Sequence, residues 1–135
     1  MMRLRQIVKQ RWTVLAICDD RGECQVSAFL DAVERDDKAS LAQTTAILQQ
    51  TANNGPPHNT QKSKPLAGGI FELKTRSGVR IPYFYDASQI VVCSAAMKKP
   101  KKAELERVIE RALDDRQRYF NAKRRNQIEI IEETP

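Results

Sequence analysis

The sequence predicts an α+β fold with a small, mainly antiparallel sheet. The expected order is a strand, a two-helix hairpin, a three-strand meander and a C-terminal helix. Three segments repeat apolar residues at helical spacing, whereas four others form short β-branched or alternating runs. The length of 135 residues, with 41% hydrophobic and 30% charged residues, suits one hydrophobic core.

The N-terminal half is predicted to hold one strand and two helices. Residues 12–18 are apolar and β-branched, and they end at the turn-forming sequence DDRGE, which indicates a strand. Residues 26–35 place apolar side chains at i, i+3, i+4 and i+7, the spacing of one helix face. A second helix is expected to begin at Asp36 or Asp37, either of which can cap it, and to stop at residues 53–55.

The C-terminal half is predicted to form the meander and the last helix. Strands Ile70–Arg76 and Val79–Tyr85 are separated only by a Ser-Gly pair, which is typical of a hairpin, and a third strand covers Gln89–Ala96. Because Pro82 has no backbone N–H, we expect a bulge at that position. Helical apolar spacing from Lys101 to Phe120 predicts an amphipathic helix.

We expect a single domain over residues 1–125 and a flexible acidic tail over residues 126–135. Loop composition is concentrated at residues 56–69, which are rich in proline and glycine, and no internal repeat is evident. The apolar runs are too short to span a membrane, and the N-terminus does not have the pattern of a secretory signal. We therefore expect a cytoplasmic protein that has no membrane partner.

The cysteines predict neither a disulfide framework nor a metal site. Cys18, Cys24 and Cys93 are an odd number, and no two of them have CxxC spacing. They are interpreted as reduced thiols. No metal and no cofactor is expected.

Positive charge is concentrated in the middle of the chain. Residues 61–102 hold nine basic and two acidic side chains, whereas residues 1–60 hold seven of each. Fixed positive charge attracts phosphate and releases its counterions, so a polyanion such as nucleic acid is the expected partner. On charge alone, a solvated basic surface is the alternative.

Strand alternation predicts that part of this charge gathers on one face of the sheet. In the first strand of the meander, Glu72, Lys74 and Arg76 point away from the apolar side, and in the second strand Arg80 and Phe84 do so. We expect the helices to cover the apolar side and to leave these side chains on an open face. Three cations around a carboxylate suit a phosphodiester, and Phe84 is placed to stack on a base.

The order of elements and the motifs of the second half resemble the RelE/ParE superfamily of bacterial toxins. The similarity is greatest to its HigB-like, phage-derived Gp49-like group, and it is specific over residues 62–113. The matching motifs are Lys64–Leu66, ELKTR (72–76), GVRIPYFY (78–85), IVVCSAAM (90–97), and Lys98 and Lys99 ahead of ELERVIERAL (104–113).

The resemblance implies the toxin of a type II toxin-antitoxin system. Such a toxin is a ribosome-dependent endoribonuclease that cuts mRNA and is held inactive by a helix-turn-helix antitoxin. The implied partners are therefore the antitoxin, the ribosome and mRNA. The implied reaction is attack of a ribose 2′-hydroxyl on the neighbouring phosphate without a metal, which requires a base, phosphate-binding cations and an acid.

The resemblance also suggests roles for individual residues. Lys74 lies where some relatives use a catalytic lysine, and Arg80 matches the arginine of a G-x-R step that contacts phosphate. Glu72 lies where certain relatives have a second lysine, so a two-lysine mechanism is not expected. His58, the sole histidine, is in the loop before the sheet. The predicted catalytic set is Lys74, Arg76, Arg80, Lys98 and Lys99, and the predicted nucleic-acid-binding set is Lys62, Lys64, Phe84, Lys101 and Lys102.

Two other functions are compatible with the same fold. ParE-like members of the superfamily inhibit DNA gyrase by binding it and have no nuclease site. A phage nucleic-acid-binding module would use the cations without acid or base chemistry. The predicted cation cluster favours the nuclease over the gyrase inhibitor, but it does not distinguish the nuclease from the binding module.

Overall fold

The computed structural model describes residues 1–132 and confirms the α+β class with a mostly antiparallel sheet. Three helices and eight strands follow one another along this part of the chain. They are β1 (Met2–Lys9), β2 (Thr13–Ile17), α1 (Gln25–Asp36), α2 (Lys38–Asn54), β3 (Ser63–Ala67), β4 (Ile70–Lys74), β5 (Val79–Asp86), β6 (Ile90–Cys93), β7 (Met97–Lys98), α3 (Lys102–Arg124) and β8 (Ile128–Ile131).

All strands belong to one sheet. Its order is β3-β4-β5-β6-β2-β1-β8, and the short strand β7 pairs with β5. Neighbouring strands are antiparallel except for the pairs β2–β6 and β1–β8, which are parallel. The predicted meander is thus β4-β5-β6, and β2 joins its far side.

Four strands were not predicted from the sequence, and one of them, β7 (Met97–Lys98), lies just beyond the predicted third strand of the meander. β1 precedes the predicted first strand, and β3 lies inside the segment that we expected to be a loop. β8 falls within residues 126–135, where we expected a flexible tail; instead, Met2–Arg5 pair with Ile128–Ile131. That expectation is therefore wrong for β8, and residues 133–135 lie outside the described residues.

The helical hairpin covers one face of the sheet. Asp37 caps α2 by accepting a hydrogen bond from the Ser40 backbone N–H at 3.1 Å. Gly55 caps the C-terminal end of α2; its φ is +85° and its Cβ position would lie 2.9 Å from the Trp12 ring, so glycine is required there. The core under the hairpin includes Ile81. Within residues 1–132, no helix has the length and apolarity to cross a lipid bilayer.

Helix α3 covers part of the other face, which we expected to be open. It contributes Tyr119 to a second core cluster with Leu4, Ile70 and Phe84. Phe84 is fully buried, and its ring lies 5.5 Å from the ring of Tyr119 and 6.3 Å from that of Phe120. The helices therefore sandwich much of the sheet, and the charged side chains at the strand ends near the β4–β5 turn remain partly exposed.

The irregularity expected at Pro82 occurs in the strand opposite it. The register of β5 with β4 is continuous past Pro82. On the other side of β5, Tyr83 pairs with Cys93 and Arg80 pairs with Met97. The three residues 94–96 therefore lie opposite the two residues 81–82. The missing N–H of Pro82 is accommodated by this break between β6 and β7.

Asp86 links α3 to the end of β5. Its Oδ2 accepts hydrogen bonds from the Tyr119 hydroxyl at 2.9 Å and from Lys123 Nζ at 2.6 Å, and its Oδ1 accepts one from the Ser88 backbone N–H at 3.0 Å. Burial of Asp86 raises its pKa, but these donors outweigh that effect and lower the pKa from 3.8 to about 2.

Replacing Asp86 with asparagine should destabilise the protein by about 2 kcal/mol at pH 7. Because its folded-state pKa is depressed, the carboxylate stabilises the fold above the unfolded pKa, and this contribution is lost as the pH falls from about 4 to about 2. Urea unfolding of the wild type and of Asp86→Asn at pH 7 and pH 3 measures the difference in their free energies of unfolding. The exposed Asp31→Asn variant is the control, and equal stability of wild type and Asp86→Asn at pH 7 would contradict the assignment.

Candidate nucleic-acid interface

Lys74 and Arg80 form the centre of the predicted charged surface. They are paired directly across β4 and β5, so their half-buried side chains lie on the same face. Glu72 is on that face too, opposite Pro82, and its Oε1 lies 3.8 Å from Arg80 Nε. The structure thus brings together two of the predicted catalytic cations and the carboxylate beside them.

Glu72 supports this pair from below the surface. Its side chain is only 1% exposed, and among the described residues its Oε2 has no hydrogen-bond partner. A buried carboxylate of this kind is stabilised mainly by the nearby Arg80 cation. Glu72 is therefore placed to hold the Arg80 guanidinium in position, and it is too deeply buried to touch a substrate.

The β4–β5 turn adds two further predicted cations. Arg76 is exposed in the turn. Lys99 donates its backbone N–H to the Gly78 carbonyl at 2.8 Å, and a Cβ on Gly78, whose φ is +97°, would lie 2.6 Å from Lys99 Cγ. The Lys99 side chain therefore lies over the turn, and only glycine allows this approach.

At the edge of the sheet, the two predicted binding lysines diverge. Lys64 in β3 is exposed and pairs with Glu72, so it extends the charged face by one strand. Lys62 instead donates from Nζ to Gln50 Oε1 of α2 at 3.3 Å. Lys64 therefore lies on the same charged face as Lys74 and Arg80, whereas Lys62 is directed toward the helical hairpin.

The four remaining predicted residues do not lie with the cations around Lys74 and Arg80. Lys98 forms an ion pair with Asp37 at the start of α2, and hydrogen bonds from Lys98 and then Ser40 hold the pKa of Asp37 well below its usual range. Phe84 is buried under α3, so its predicted stacking on a base is wrong. Lys101 and Lys102 are exposed at the first turn of α3.

His58 is placed in an aromatic pocket on the opposite face. The cavity has a volume of about 420 Å³, and its walls include Trp12, Phe71, Tyr83 and Tyr85. These rings pack against one another, with Phe71 and Tyr83 stacked at 5.7 Å. Since Phe71 and Tyr83 point away from the Lys74 side of the sheet, His58 does not join the cation cluster.

Tyr83 is held inside this pocket by a short hydrogen bond. Its hydroxyl lies 2.6 Å from Ser63 Oγ, and burial raises the pKa of Tyr83 to about 12. The phenol therefore stays neutral at physiological pH. The alternation of Tyr83 and Tyr85 in β5 was the sequence signal for this pocket. The contribution of Trp12 could not be predicted, because Trp12 precedes β2 and is distant from β5 in the sequence.

We define the basic cluster as Lys64, Lys74, Arg76, Arg80 and Lys99. It places five cations on or beside one hairpin, with one buried carboxylate beneath them. Such an arrangement suits the oxygens of a phosphodiester. Among residues 1–132, no group of three or more His, Cys, Asp or Glu side chains is arranged to hold a metal ion.

Comparisons with known proteins identify a family and two similar backbones. The family model described as phage derived protein Gp49-like (DUF891) matches residues 28–117. A YoeB-YefM complex from Staphylococcus aureus aligns with 13% identity and a TM-score of 0.49, covering 64% of this chain and 95% of that chain. A heterotetrameric YoeB-YefM toxin-antitoxin complex from Staphylococcus aureus aligns with 15% identity and a TM-score of 0.48, covering 64% and 94%. Backbone similarity of this size carries no argument about function, and no curated protein matches significantly.

Proposed function

The chain belongs to the phage-derived Gp49-like family, and we propose that it is the toxin of a type II toxin-antitoxin system that acts as an mRNA endoribonuclease. Membership of this family is the observation that carries the proposal. The matched segment, residues 28–117, runs from α1 into α3 and includes the β4–β5 hairpin with the basic cluster. The proposed partners are a helix-turn-helix antitoxin, which would hold the toxin inactive, and the translating ribosome with its mRNA.

In the proposed reaction, the basic cluster binds the phosphate that is cleaved. The ribose 2′-oxygen attacks phosphorus, the bond to the 5′-oxygen breaks, and the product is a 2′,3′-cyclic phosphate. Arg80 and Lys74 stabilise the charge that develops on the phosphate oxygens, because they lie opposite each other on one face. Lys64, Arg76 and Lys99 extend positive charge along the RNA backbone.

Proton transfer is assigned to Lys74. As an ammonium group it can donate a proton to the departing 5′-oxygen, while the 2′-hydroxyl loses its proton to solvent water. Glu72 acts as a positioning residue, because its buried carboxylate contacts Arg80 and does not reach the surface. His58 takes no part, since it lies on the other face of the sheet.

Nucleic-acid binding without cleavage is the second candidate function. The burial of Glu72 and the position of His58 favour it, because Lys74 is then the sole acid or base assigned to the surface. A binding module requires the five cations but no proton transfer. The two functions differ in the effect of removing the Lys74 amine.

Replacing Lys74 with methionine should reduce RNA cleavage by about 10²- to 10⁴-fold. RNA binding should fall by less than about tenfold, because the other cations still contact phosphate. Cleavage of a translated mRNA and fluorescence anisotropy with a short RNA measure the two effects separately. Lys9→Met, at the exposed end of β1, is the matched control. Equal losses in cleavage and binding would show that Lys74 acts only in binding. A wild-type protein that binds the RNA without cleaving it would favour binding without catalysis as the function of this surface.

A further inference from the structure

A second cleft lies at the ends of β2 and β6, between the N-terminus of α1 and one side of α3. Its volume is about 780 Å³. No residue that lines it belongs to the basic cluster. Five acidic side chains line it, from two separate parts of the chain: Asp19, Asp20, Glu23, Asp114 and Asp115.

The cleft is negatively charged although the protein is positively charged. Its lining holds only two basic residues, Arg111 and Arg118, against the five acidic ones, whereas the whole chain carries a net charge of +6. Low-dielectric walls concentrate the field of such charges inside a cleft. A cation is therefore attracted to this cleft, and a nucleic-acid phosphate is repelled from it.

Two buried polar groups of the lining have unused hydrogen-bonding capacity. Asp115 is 3% exposed, and although its Oδ1 lies 3.6 Å from Arg118 Nη1, its Oδ2 has no hydrogen-bond partner among the described residues. Ser94 is 7% exposed; its Oγ lies near enough to Asp115 for hydrogen bonding to lower the pKa of that carboxyl group, but it forms no hydrogen bond of normal geometry within the described chain. Such groups are destabilising unless something satisfies them.

The environment of Asp115 supports the same interpretation. Burial raises the pKa of its carboxyl group, and Arg118 and the neighbouring Ser94 offset this effect only in part. The ionised carboxylate is thus poorly compensated by the residues around it. A bound cation would supply the missing compensation.

We propose that this cleft binds the guanidinium group of an arginine side chain on a partner polypeptide. A guanidinium presents several N–H donors in one plane, so it can donate to Asp115 Oδ2 and Ser94 Oγ together. Ile17 and Cys18 also line the cleft and provide apolar contact for the methylene groups of the arginine. The side chains of the described residues do not form a group suited to a metal ion.

The test is an NMR titration of the full-length, ¹⁵N-labelled protein with the peptide acetyl-Gly-Arg-Gly-amide. The matched peptide contains citrulline, which has nearly the shape of arginine without its charge. The arginine peptide should shift the backbone amide signals of Ser94 and Asp115 in a saturable way, and the citrulline peptide should not. Asp115→Asn should weaken binding by at least about tenfold, whereas Glu110→Gln, on the same helix but outside the cleft, should not.

Three outcomes would overturn the proposal. They are equal shifts from the two peptides, unchanged binding by Asp115→Asn, or signal broadening at Ser94 and Asp115 by Mn²⁺ alone with no response to arginine. If Asp115→Asn does not fold, Ser94→Ala replaces it and should weaken binding by about threefold. The titration does not depend on RNA cleavage, so its failure leaves the proposed nuclease function unaffected.

Discussion

Replacing Arg80 with alanine should abolish growth inhibition by the induced protein and reduce RNA cleavage by about 10²- to 10³-fold. The reason is that Arg80 is paired with Lys74 on one face and is the cation placed closest to Glu72. Without its guanidinium, charge that develops on the phosphate oxygens has one fewer fixed donor. Growth after induction and cleavage of a translated mRNA, at equal protein levels, measure the effect.

Loss of folding has to be separated from loss of catalysis in this experiment. Arg80→Ala leaves the Glu72 carboxylate buried without its cation, which can cost about 3–5 kcal/mol of stability. The substitution is therefore made together with Glu72→Gln, which removes the buried charge, and Glu72→Gln alone serves as its reference. Arg107→Ala, an exposed arginine of α3, is the charge-matched control. A folded double variant that remains fully toxic would show that the basic cluster is not the active surface.

Ending the chain after Arg125 should destabilise the fold by roughly 3 kcal/mol, because the strand hydrogen bonds of β8 and the packing of Ile128 and Ile131 against the core are lost. This truncation removes β8, whose residues pair with Met2–Arg5, and Ile128, which packs against the second core cluster. It also uncovers the edge of β1, so aggregation should increase. Urea unfolding and light scattering measure both effects.

The matched control for this truncation is a chain that ends at Glu132 and keeps β8 complete. Its stability is compared with that of the full-length protein and of the shorter chain. If the chain ending at Arg125 unfolds at the same urea concentration as the chain ending at Glu132, β8 does not contribute to the sheet in solution. A truncation in this region is therefore first a test of folding, and only afterwards a test of binding.

The fold was predictable from sequence where local patterns determine it. The helical spacing in residues 26–35 and the Ser-Gly turn between β4 and β5 are local signals, and the structure confirms the elements they predicted. β1 and β8 stabilise each other across the length of the chain. In β1, the alternation of Met2 and Leu4 with Arg3 and Arg5 stops at Gln6 and is too short to indicate a strand. In β8, the four residues are too few to indicate a strand without their partner.

The candidate site, like the fold, was predictable where local patterns determine it and not where residues distant in the sequence meet. Alternation along β4 and β5 correctly placed Lys74 and Arg80 on one face, because side-chain parity depends only on the backbone. It did not reveal that α3 packs on that face, so Phe84 was assigned to solvent although it is buried. Lys98 was assigned to the cluster, but it pairs with Asp37, which is distant in sequence and lies on the helical hairpin. The acidic cleft combines Asp19 with Asp115, which no local pattern connects.

Mapping the ends of cellular mRNA after brief induction tests the central claim most directly. The proposed reaction predicts new cuts within translated codons, with a 5′-hydroxyl on one fragment and a 2′,3′-cyclic or 3′-phosphate on the other, and their loss in the Arg80→Ala and Glu72→Gln double variant. Intact mRNA together with double-strand DNA breaks and a DNA-damage response would contradict the nuclease assignment. That result would favour inhibition of gyrase by the same fold.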